Sequence, residues 1–302
     1  MGSNVVVEVA GGAVGHLSLA RDRLAFLEAR WSRFRPHSDI SRLNAAQGEA
    51  TVVDGSTIAL LEAMVHGFTL TDGSFDPTLL VPIVRLGYAA SVHDPAAVTE
   101  LPQGVQQRGF VRGLVVDANE QTVRLPPGTA VDAGAIGKGL AADIVAELLI
   151  DNGASGAMVN VGGDVRVIGE GPFDGAWRVA VDAALQPDAD VMVLELRSGG
   201  LGSSGALRRS WLSPDGLPAH HLLDPASGHP LPGGFEAPVH ATVLADSAMH
   251  AEVHATMAMV RGASSALPRL QLDGLGGRLV YGSGQSYTNA AWDLRLGQST
   301  ID

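Results

Sequence analysis

The sequence predicts an α+β fold in which mixed or antiparallel sheets pack against a few helices. Short segments rich in β-branched residues follow one another through the middle of the chain, while helical periodicity is confined to a few long segments. Strands and helices do not alternate regularly, as they would in a doubly wound parallel sheet. The 302 residues, 46% of them hydrophobic, are enough for one large core or two modest ones. We therefore expect a single domain spanning residues 1–302.

The hydrophobic pattern predicts both helices and strands. The helices span residues 17–34, 57–68 with Ser56 as the capping residue, 138–150 and 247–260. The strands span residues 4–10, 114–117, 121–125, 157–161, 165–168, 177–181 and 191–196. We expect residues 203–205 to follow a further strand and residues 221–228 to form a strand that ends in a turn. Residues 93–109 have the composition of a polar surface segment.

The composition excludes several classes of protein. With 32 acidic and 20 basic side chains, the net charge of −12 disfavours nucleic acid as a partner, because like charges repel. The absence of cysteine excludes disulfides, thiolate metal sites and a cysteine nucleophile. No run approaches about 18 apolar residues, so no membrane segment is predicted. We expect a cytoplasmic location for the chain as written, or an exported form if a native leader has been removed.

A glycine-rich segment, Asp132-Ala-Gly-Ala-Ile-Gly-Lys-Gly139, leads into the predicted helix 138–150. Exposed amides at a helix start, glycines that allow close approach and a lysine at that end together predict a phosphate site. The segment fits neither the P-loop nor the dinucleotide-binding pattern, because the required glycines and the hydroxyl residue are absent. The alternative is a tight turn before a helix, with Lys138 on the surface.

The last predicted helix carries two candidate metal sites. His250 and His254 are four residues apart, so they share a face and are able to hold zinc. Glu252 points away from that pair and shares its face with Thr256, which places a carboxylate and a hydroxyl one turn apart. Such hard oxygens suit magnesium or calcium. The alternative is that Glu252 is a solvated helix residue and both histidines are ordinary surface side chains.

Seven segments, taken in order, resemble one known family. These segments are 31–44, 73–78, 131–143, 159–164, 203–205, 221–225 and 251–256. Several of them are common turn formers when considered singly. As an ordered set over residues 31–262 they resemble the FAD:protein FMN transferases, the ApbE family. The resemblance implies an ApbE-type fold, either as one domain or as two lobes with the FAD cleft between them.

The resemblance also implies a reaction and its site. FAD is the substrate, a divalent ion (usually Mg²⁺) assists, and FMN is transferred to a threonine or serine of an acceptor flavoprotein with release of AMP. Lys138 would lie by the nucleotide phosphates, and the carbonyl of Ala135 would bind the metal together with Glu252 and Thr256. Other residues match positions that line or support the pocket: Ser38, Asn44, Asp76, Asp132, Gly134, Gly139, Asp143, Ser204, Gly205, His221 and Asp224.

Two points concern the chemistry of this site. A hydroxyl is a poor nucleophile, so a base is useful, and His221 is the first candidate with Asp224 second. The family generally has aspartate where this chain has Glu252, and the longer side chain favours Mn²⁺ or Ca²⁺ over the geometrically strict Mg²⁺. Two alternatives to transfer stay open: an FAD pyrophosphatase that gives FMN and AMP, and a catalytically impaired FAD-binding protein.

Overall fold

The computed structural model describes residues 3–105, 110–181 and 192–297. The predicted segments at 93–109 and 191–196 therefore lie partly outside the described residues. The helices are α1 (His16–Trp31), α2 (Asp39–Ala45), α3 (Gly55–Leu70), α4 (Leu80–Arg85), α5 (Gly137–Asp151), α6 (Ala248–Arg261), α7 (Ala263–Leu272) and α8 (Ala290–Gly297). A short 3-10 helix spans Val111–Gly113. Among the described residues, none of the helices is long and apolar enough to cross a membrane.

The strands pair antiparallel throughout the described residues. They are β1 (Val5–Ala10), β2 (Thr51–Val52), β3 (Val115–Asp117), β4 (Thr122–Arg124), β5 (Gly156–Val161), β6 (Asp164–Gly169), β7 (Trp177–Ala180), β8 (Val193–Leu196), β9 (Gly199–Gly205), β10 (Ser210–Leu212), β11 (Pro218–His220), β12 (Pro238–Ala245), β13 (Gly276–Tyr281) and β14 (Ser286–Thr288). Helices together with antiparallel sheets confirm the predicted α+β class.

The chain divides into two compact units. The first contains residues 25–137 and 208–231, and the second contains residues 3–24, 138–207 and 232–302, with part of the tail beyond the described residues. The boundaries fall inside α1 and at the start of α5. The prediction of a single domain stays a prediction.

The second unit is built on a sheet of seven strands in the order β1-β5-β6-β9-β12-β13-β14. Strands β5, β6 and β12 are largely buried, and each contains at least two valines, a residue that favours strands. The β7–β8 hairpin adds to a core that also contains two fully buried tryptophans, Trp177 and Trp292. Helix α6 packs on strands β9 and β12 of the same sheet.

Strand β9 lies unusually close to α6 because it contains glycine where other strands carry side chains. A Cβ atom at Gly200 would overlap the backbone of Ser247 and Ala248, and a Cβ atom at Gly202 would overlap the backbone at Ala251. The glycines therefore allow direct contact between the strand and the helix.

The first unit contains a three-stranded sheet in the order β2-β4-β3, the β10–β11 hairpin and helices α2 to α4. Its core includes residues of α4 and of three loops. The buried members are Leu80, Val81, Ile83, Val105, Ala130 and Leu223.

Two of the predicted helix ends are wrong. Ser56 does not cap the second predicted helix: α3 begins at Gly55, and the Asp54 side chain accepts the N–H of Ser56 at 2.8 Å. Aspartate is at least as good a cap as serine, and it stands where the chain enters the helix. Helix α1 ends at Trp31 instead of residue 34, and turns follow. Pro36 disfavours helical geometry at the residue before it.

Two predicted strand positions are also wrong. Residues 203–205 do not follow a strand but are the last three residues of β9. Its glycine-rich sequence gives no strand pattern that would show where the strand ends. Residues 221–228 form no regular strand: Leu223 pairs with Pro230 in an isolated bridge, and a turn begins at Asp224. Pro225 lacks the N–H that a strand would need there. Helices α2, α4, α7 and α8 and strands β2 and β10 to β14 were not predicted.

Candidate active site

Lys138 stands at the first turn of α5 and binds two carboxylates. Its ammonium group donates to Asp164, at the start of β6, and to Glu252, on α6. The second Glu252 oxygen accepts the backbone N–H of Gly139 at 2.8 Å. Asp164 also accepts the N–H of Ser203 at 3.1 Å. The described part of the second unit thus holds one lysine and two carboxylates at a helix N-terminus.

The burial of this cluster determines its electrostatics. Burial alone would lower the pKa of Lys138, but the ion pairs with Asp164 and Glu252 outweigh it and hold that pKa above its ordinary value. Burial and the nearby Asp164 raise the pKa of Glu252, and the ammonium group opposes this shift. Glu252 is 1% exposed, so the alternative of a solvated helix residue is wrong. The alternative of a surface lysine is also wrong, because the Lys138 side chain is 17% exposed and both carboxylates bind its ammonium group.

Gly139 supports the cluster through packing. A Cβ atom at this position would lie 2.5 Å from the carbonyl oxygen of Ala248 and 2.6 Å from its carbon. The glycine therefore brings the first turns of α5 and α6 together, which lets Glu252 reach the Gly139 N–H. The structure gives Gly139 this role in addition to its predicted place by the phosphates.

We expect Gly139→Ala to lower the free energy of unfolding by about 1–3 kcal/mol, because the added methyl group overlaps α6 backbone that cannot move aside. Denaturant unfolding measures this. The matched control is Gly55→Ala at the start of α3, where a Cβ atom meets nothing within 4 Å. We expect that control to be neutral or slightly stabilising. Equal behaviour of the two variants would contradict the packing role of Gly139.

Asp143, a predicted pocket residue, holds α6 in place. Its two carboxylate oxygens accept the backbone N–H groups of Ala248 and Met249, each at 2.9 Å. Arg166 lies 3.5 Å from one of the oxygens. Burial outweighs these donors and raises the pKa of Asp143 to about 6. The carboxylate therefore accepts two N–H groups that have no partner within α6. It thereby holds the start of the helix that carries Glu252.

This pKa predicts a pH dependence of stability. Because the folded-state pKa of Asp143 exceeds its unfolded value of about 3.9, the folded state binds the proton more tightly between about pH 4 and 6. The contribution of Asp143 should therefore fall by up to about 3 kcal/mol as pH rises through that window. The measurement is the difference in unfolding free energy between wild type and Asp143→Asn at each pH. A difference that does not change with pH would refute the prediction.

The predicted metal ligands on α6 have suitable chemistry. Thr256 lies one turn after Glu252, its hydroxyl donates to the Glu252 carbonyl at 3.2 Å, and it lies 3.2 Å from the Ser204 hydroxyl on β9. A carboxylate and hydroxyls are hard oxygen donors that suit Mg²⁺ or Ca²⁺. Gly205 ends β9 beside them. The metal set that includes the carbonyl of Ala135, in the turn before α5, stays a prediction.

The zinc hypothesis for the histidines receives no support. His254 is buried, and its Nδ1 lies 2.8 Å from the carbonyl oxygen of His250 in the preceding turn. Within the described ranges, no three His, Asp or Glu side chains form a group that could hold a metal ion. Two histidines alone do not complete a zinc site.

In the first unit, two predicted pocket residues are structural. Ser38 is fully buried and caps α2, where its hydroxyl accepts the N–H of Ser41 at 3.0 Å. Asn44 pairs with the backbone of Val131, donating to the carbonyl at 2.9 Å and accepting the N–H at 2.8 Å. Asn44 thereby fixes the beginning of the loop that leads into α5.

Two aspartates organise turns of the same unit. Asp76 accepts the N–H and the hydroxyl of Thr78 at 2.8 and 2.6 Å. Asp132 accepts the N–H of Gly134 at 3.2 Å, and its other oxygen lies 3.2 Å from Nε of Arg33. The loop at 132–137 is thus held by specific side chains before α5 begins.

The two predicted base candidates, also in the first unit, differ in their surroundings. Asp224 forms a turn in which its oxygens accept from the Ala226 N–H and from the N–H and hydroxyl of Ser227, at 2.7–3.2 Å. Both oxygens of Asp224 are therefore already occupied by hydrogen-bond donors of its own turn. His221 is half-buried directly after β11. His221 therefore remains the better candidate.

Sequence reasoning missed two site residues. Asp164 was noted only as the last residue of the segment 159–164, although it binds Lys138. Arg33 was noted only as part of the segment 31–44, although it contacts Asp132. An acid beside two glycines after a buried strand was the available signal for Asp164, and Arg33 gave no local signal.

The fold and the cluster at Lys138 define a class: an α+β protein with a lysine at a helix start that a neighbouring helix contacts through Glu252. Comparison with known proteins makes this class specific. The family model described as the ApbE family matches residues 1–276. This chain belongs to the ApbE family.

Curated relatives and solved structures agree with this assignment. A protein of Treponema pallidum named FAD:protein FMN transferase is 30% identical over 76% of this chain and 66% of its own length. One of Vibrio cholerae with the same name is 28% identical over 76% of this chain and 69% of its own.

The ApbE protein of Thermotoga maritima has a TM-score of 0.79 at 22% identity, covering 97% of this chain and 99% of its own. The flavin transferase ApbE of Vibrio cholerae has a TM-score of 0.78 at 23% identity, covering 98% and 96%. The predicted family, the fold and the assignment as an enzyme are confirmed.

Proposed function

We propose that this chain transfers FMN from FAD to a threonine or serine hydroxyl of an acceptor flavoprotein and releases AMP. The acceptor oxygen bonds to the phosphorus on the FMN side of the pyrophosphate. The bond from that phosphorus to the bridging oxygen breaks, and AMP leaves with the electron pair. The relatives named FAD:protein FMN transferase support FAD as substrate and a protein as acceptor.

The position of Lys138 is the observation that carries this proposal. An ammonium group has three N–H donors, of which two go to Asp164 and Glu252 in the described structure. The third is available for a pyrophosphate oxygen, beside the amides of the α5 N-terminus. Fixed donors of this kind offset the negative charge that grows on the leaving AMP.

The acceptor hydroxyl must lose its proton during the attack. We assign the proton to His221, since an imidazole titrates near neutral pH and suits a general base. Asp224 is the second candidate, although its oxygens already accept hydrogen bonds from Ala226 and Ser227.

The proposed enzyme uses a divalent cation. Glu252 and Thr256 would hold it, together with the predicted carbonyl of Ala135, and Ser204 lies next to Thr256. When bound, the cation would supply positive charge to the pyrophosphate. The extra methylene of Glu252 relative to aspartate leaves Mn²⁺ and Ca²⁺ as well as Mg²⁺ to be compared.

The test incubates the protein with FAD and each cation, with and without a candidate acceptor flavoprotein. Mass spectrometry of the acceptor should show one added FMN on a threonine or serine, and AMP should appear in equal amount. Free FMN formed without an acceptor would instead indicate an FAD pyrophosphatase. Tight FAD binding without products under any cation would indicate an impaired FAD-binding protein.

A further inference from the structure

Arg33 is a buried cation next to the loop that precedes α5. It is 5% exposed and follows the end of α1. Its guanidinium donates to the Thr99 hydroxyl at 2.7 Å and to the Tyr88 carbonyl at 2.9 Å. It also lies over the rings of Phe34 and Tyr88, 4.2 and 4.9 Å from their centroids. These contacts hold the guanidinium in one orientation.

The guanidinium of Arg33 also forms an ion pair. Nε lies 3.2 Å from Oδ2 of Asp132, whose side chain is 24% exposed. The other oxygen of Asp132 accepts the N–H of Gly134, and the backbone N–H of Asp132 donates to the Pro77 carbonyl at 2.9 Å. The guanidinium is thus one of three restraints on Asp132.

The charge of Asp132 is a problem for a phosphate loop. The residue stands six positions before Lys138 in the segment that would receive an anion. A carboxylate repels a nearby pyrophosphate, and the repulsion is strong where water is scarce. A fixed, paired guanidinium removes most of this repulsion while it keeps the carboxylate aimed at Gly134.

We propose that Arg33 is a positioning residue for FAD: it neutralises Asp132 and holds it in the conformation that lets the loop accept the pyrophosphate. The inference rests on the proposed function, because it takes FAD as the ligand. It goes beyond that function by assigning a role to a residue that does not itself contact the nucleotide.

The experiment measures FAD affinity by the change in flavin fluorescence, and KM for FAD and kcat of FMN transfer. The proteins are wild type, Arg33→Met, Arg33→Lys and the double variant Arg33→Met/Asp132→Asn. We expect Arg33→Met to raise Kd and KM about tenfold, with kcat changed by less than about threefold, since the loss is mainly in ground-state binding. The double variant should recover most of the affinity, because no unpaired charge remains.

Arg33→Lys keeps the charge and also serves if Arg33→Met does not fold. It lacks the planar guanidinium, so its FAD affinity should lie between those of Arg33→Met and wild type. The proposal is overturned if the double variant binds FAD as weakly as Arg33→Met, if Arg33→Lys binds FAD no better than Arg33→Met, or if wild type does not bind FAD. Wild type that binds FAD but transfers no FMN contradicts the proposed function, and the Kd comparison still tests Arg33.

Discussion

Lys138→Met is expected to lower kcat of FMN transfer by about 10²–10³, the usual effect of removing one fixed donor to a developing negative charge. Methionine keeps most of the side-chain volume and removes the ammonium group. Transfer is measured as flavin fluorescence of the acceptor protein after denaturing electrophoresis. Unchanged transfer would remove Lys138 from the proposed mechanism.

The same substitution should also destabilise the fold, because it leaves Asp164 and Glu252 buried without their cation. Removing one partner of a buried ion pair costs about 3–5 kcal/mol. The double variant Lys138→Met/Asp164→Asn removes one of the two stranded charges and should recover part of that loss. Its transfer activity should stay low. Recovery of activity along with stability would show that Lys138 acts only through the fold.

Glu252→Gln is expected to reduce transfer at least about 100-fold, the scale typical of removing one transition-state electrostatic contact. Glutamine keeps the length of the side chain and its carbonyl oxygen accepts the N–H of Gly139, but the negative charge beside Lys138 and Thr256 is lost. Calorimetric titration with Mg²⁺, Mn²⁺ and Ca²⁺ provides a second measurement, and we expect weaker binding of each cation. Wild-type rates and wild-type cation affinity in this variant would contradict both roles of the carboxylate.

Glu252→Asp is the matched variant that keeps the negative charge and shortens the side chain by one methylene group. The shorter carboxylate should keep its charge near Lys138 but not reach the Gly139 N–H, at a cost of about 1–3 kcal/mol for the buried donor. Transfer should stay within about tenfold of wild type. If Glu252→Asp is as inactive as Glu252→Gln, the position of the carboxylate matters more than its charge.

Local sequence predicted the parts of the fold that depend on local periodicity. Helix α5 and strands β5 and β6 agree with prediction to within two residues at each end, because their apolar residues recur at the required spacing. The end of strand β9 was predicted too early, because its glycines allow the approach of α6 and give no strand pattern. The sheet order joins strands far apart in the chain, which no local pattern contains.

In the candidate site, too, local sequence predicted some features, and only the folded chain shows the others. The helix start at Lys138 was predictable, because glycines and a lysine occur together there. The partner of Gly139 is Glu252, 113 residues away, and only the folded chain shows that this acid is buried. Ser38, Asp76 and Asp143 were predicted to line or support the pocket, and the folded chain shows how each side chain holds the backbone in a cap or a turn.

The close approach of β9 to α6 has a consequence for Glu252. Any side chain at Gly200 or Gly202 would act as a spacer that lifts the helix from the strand and withdraws the carboxylate from Lys138. The side-chain length of the acid at position 252 therefore depends on the distance between α6 and β9, which the glycines of β9 keep short. If this acid changes in evolution, we expect compensating changes in β9, although that strand contains no charged residue.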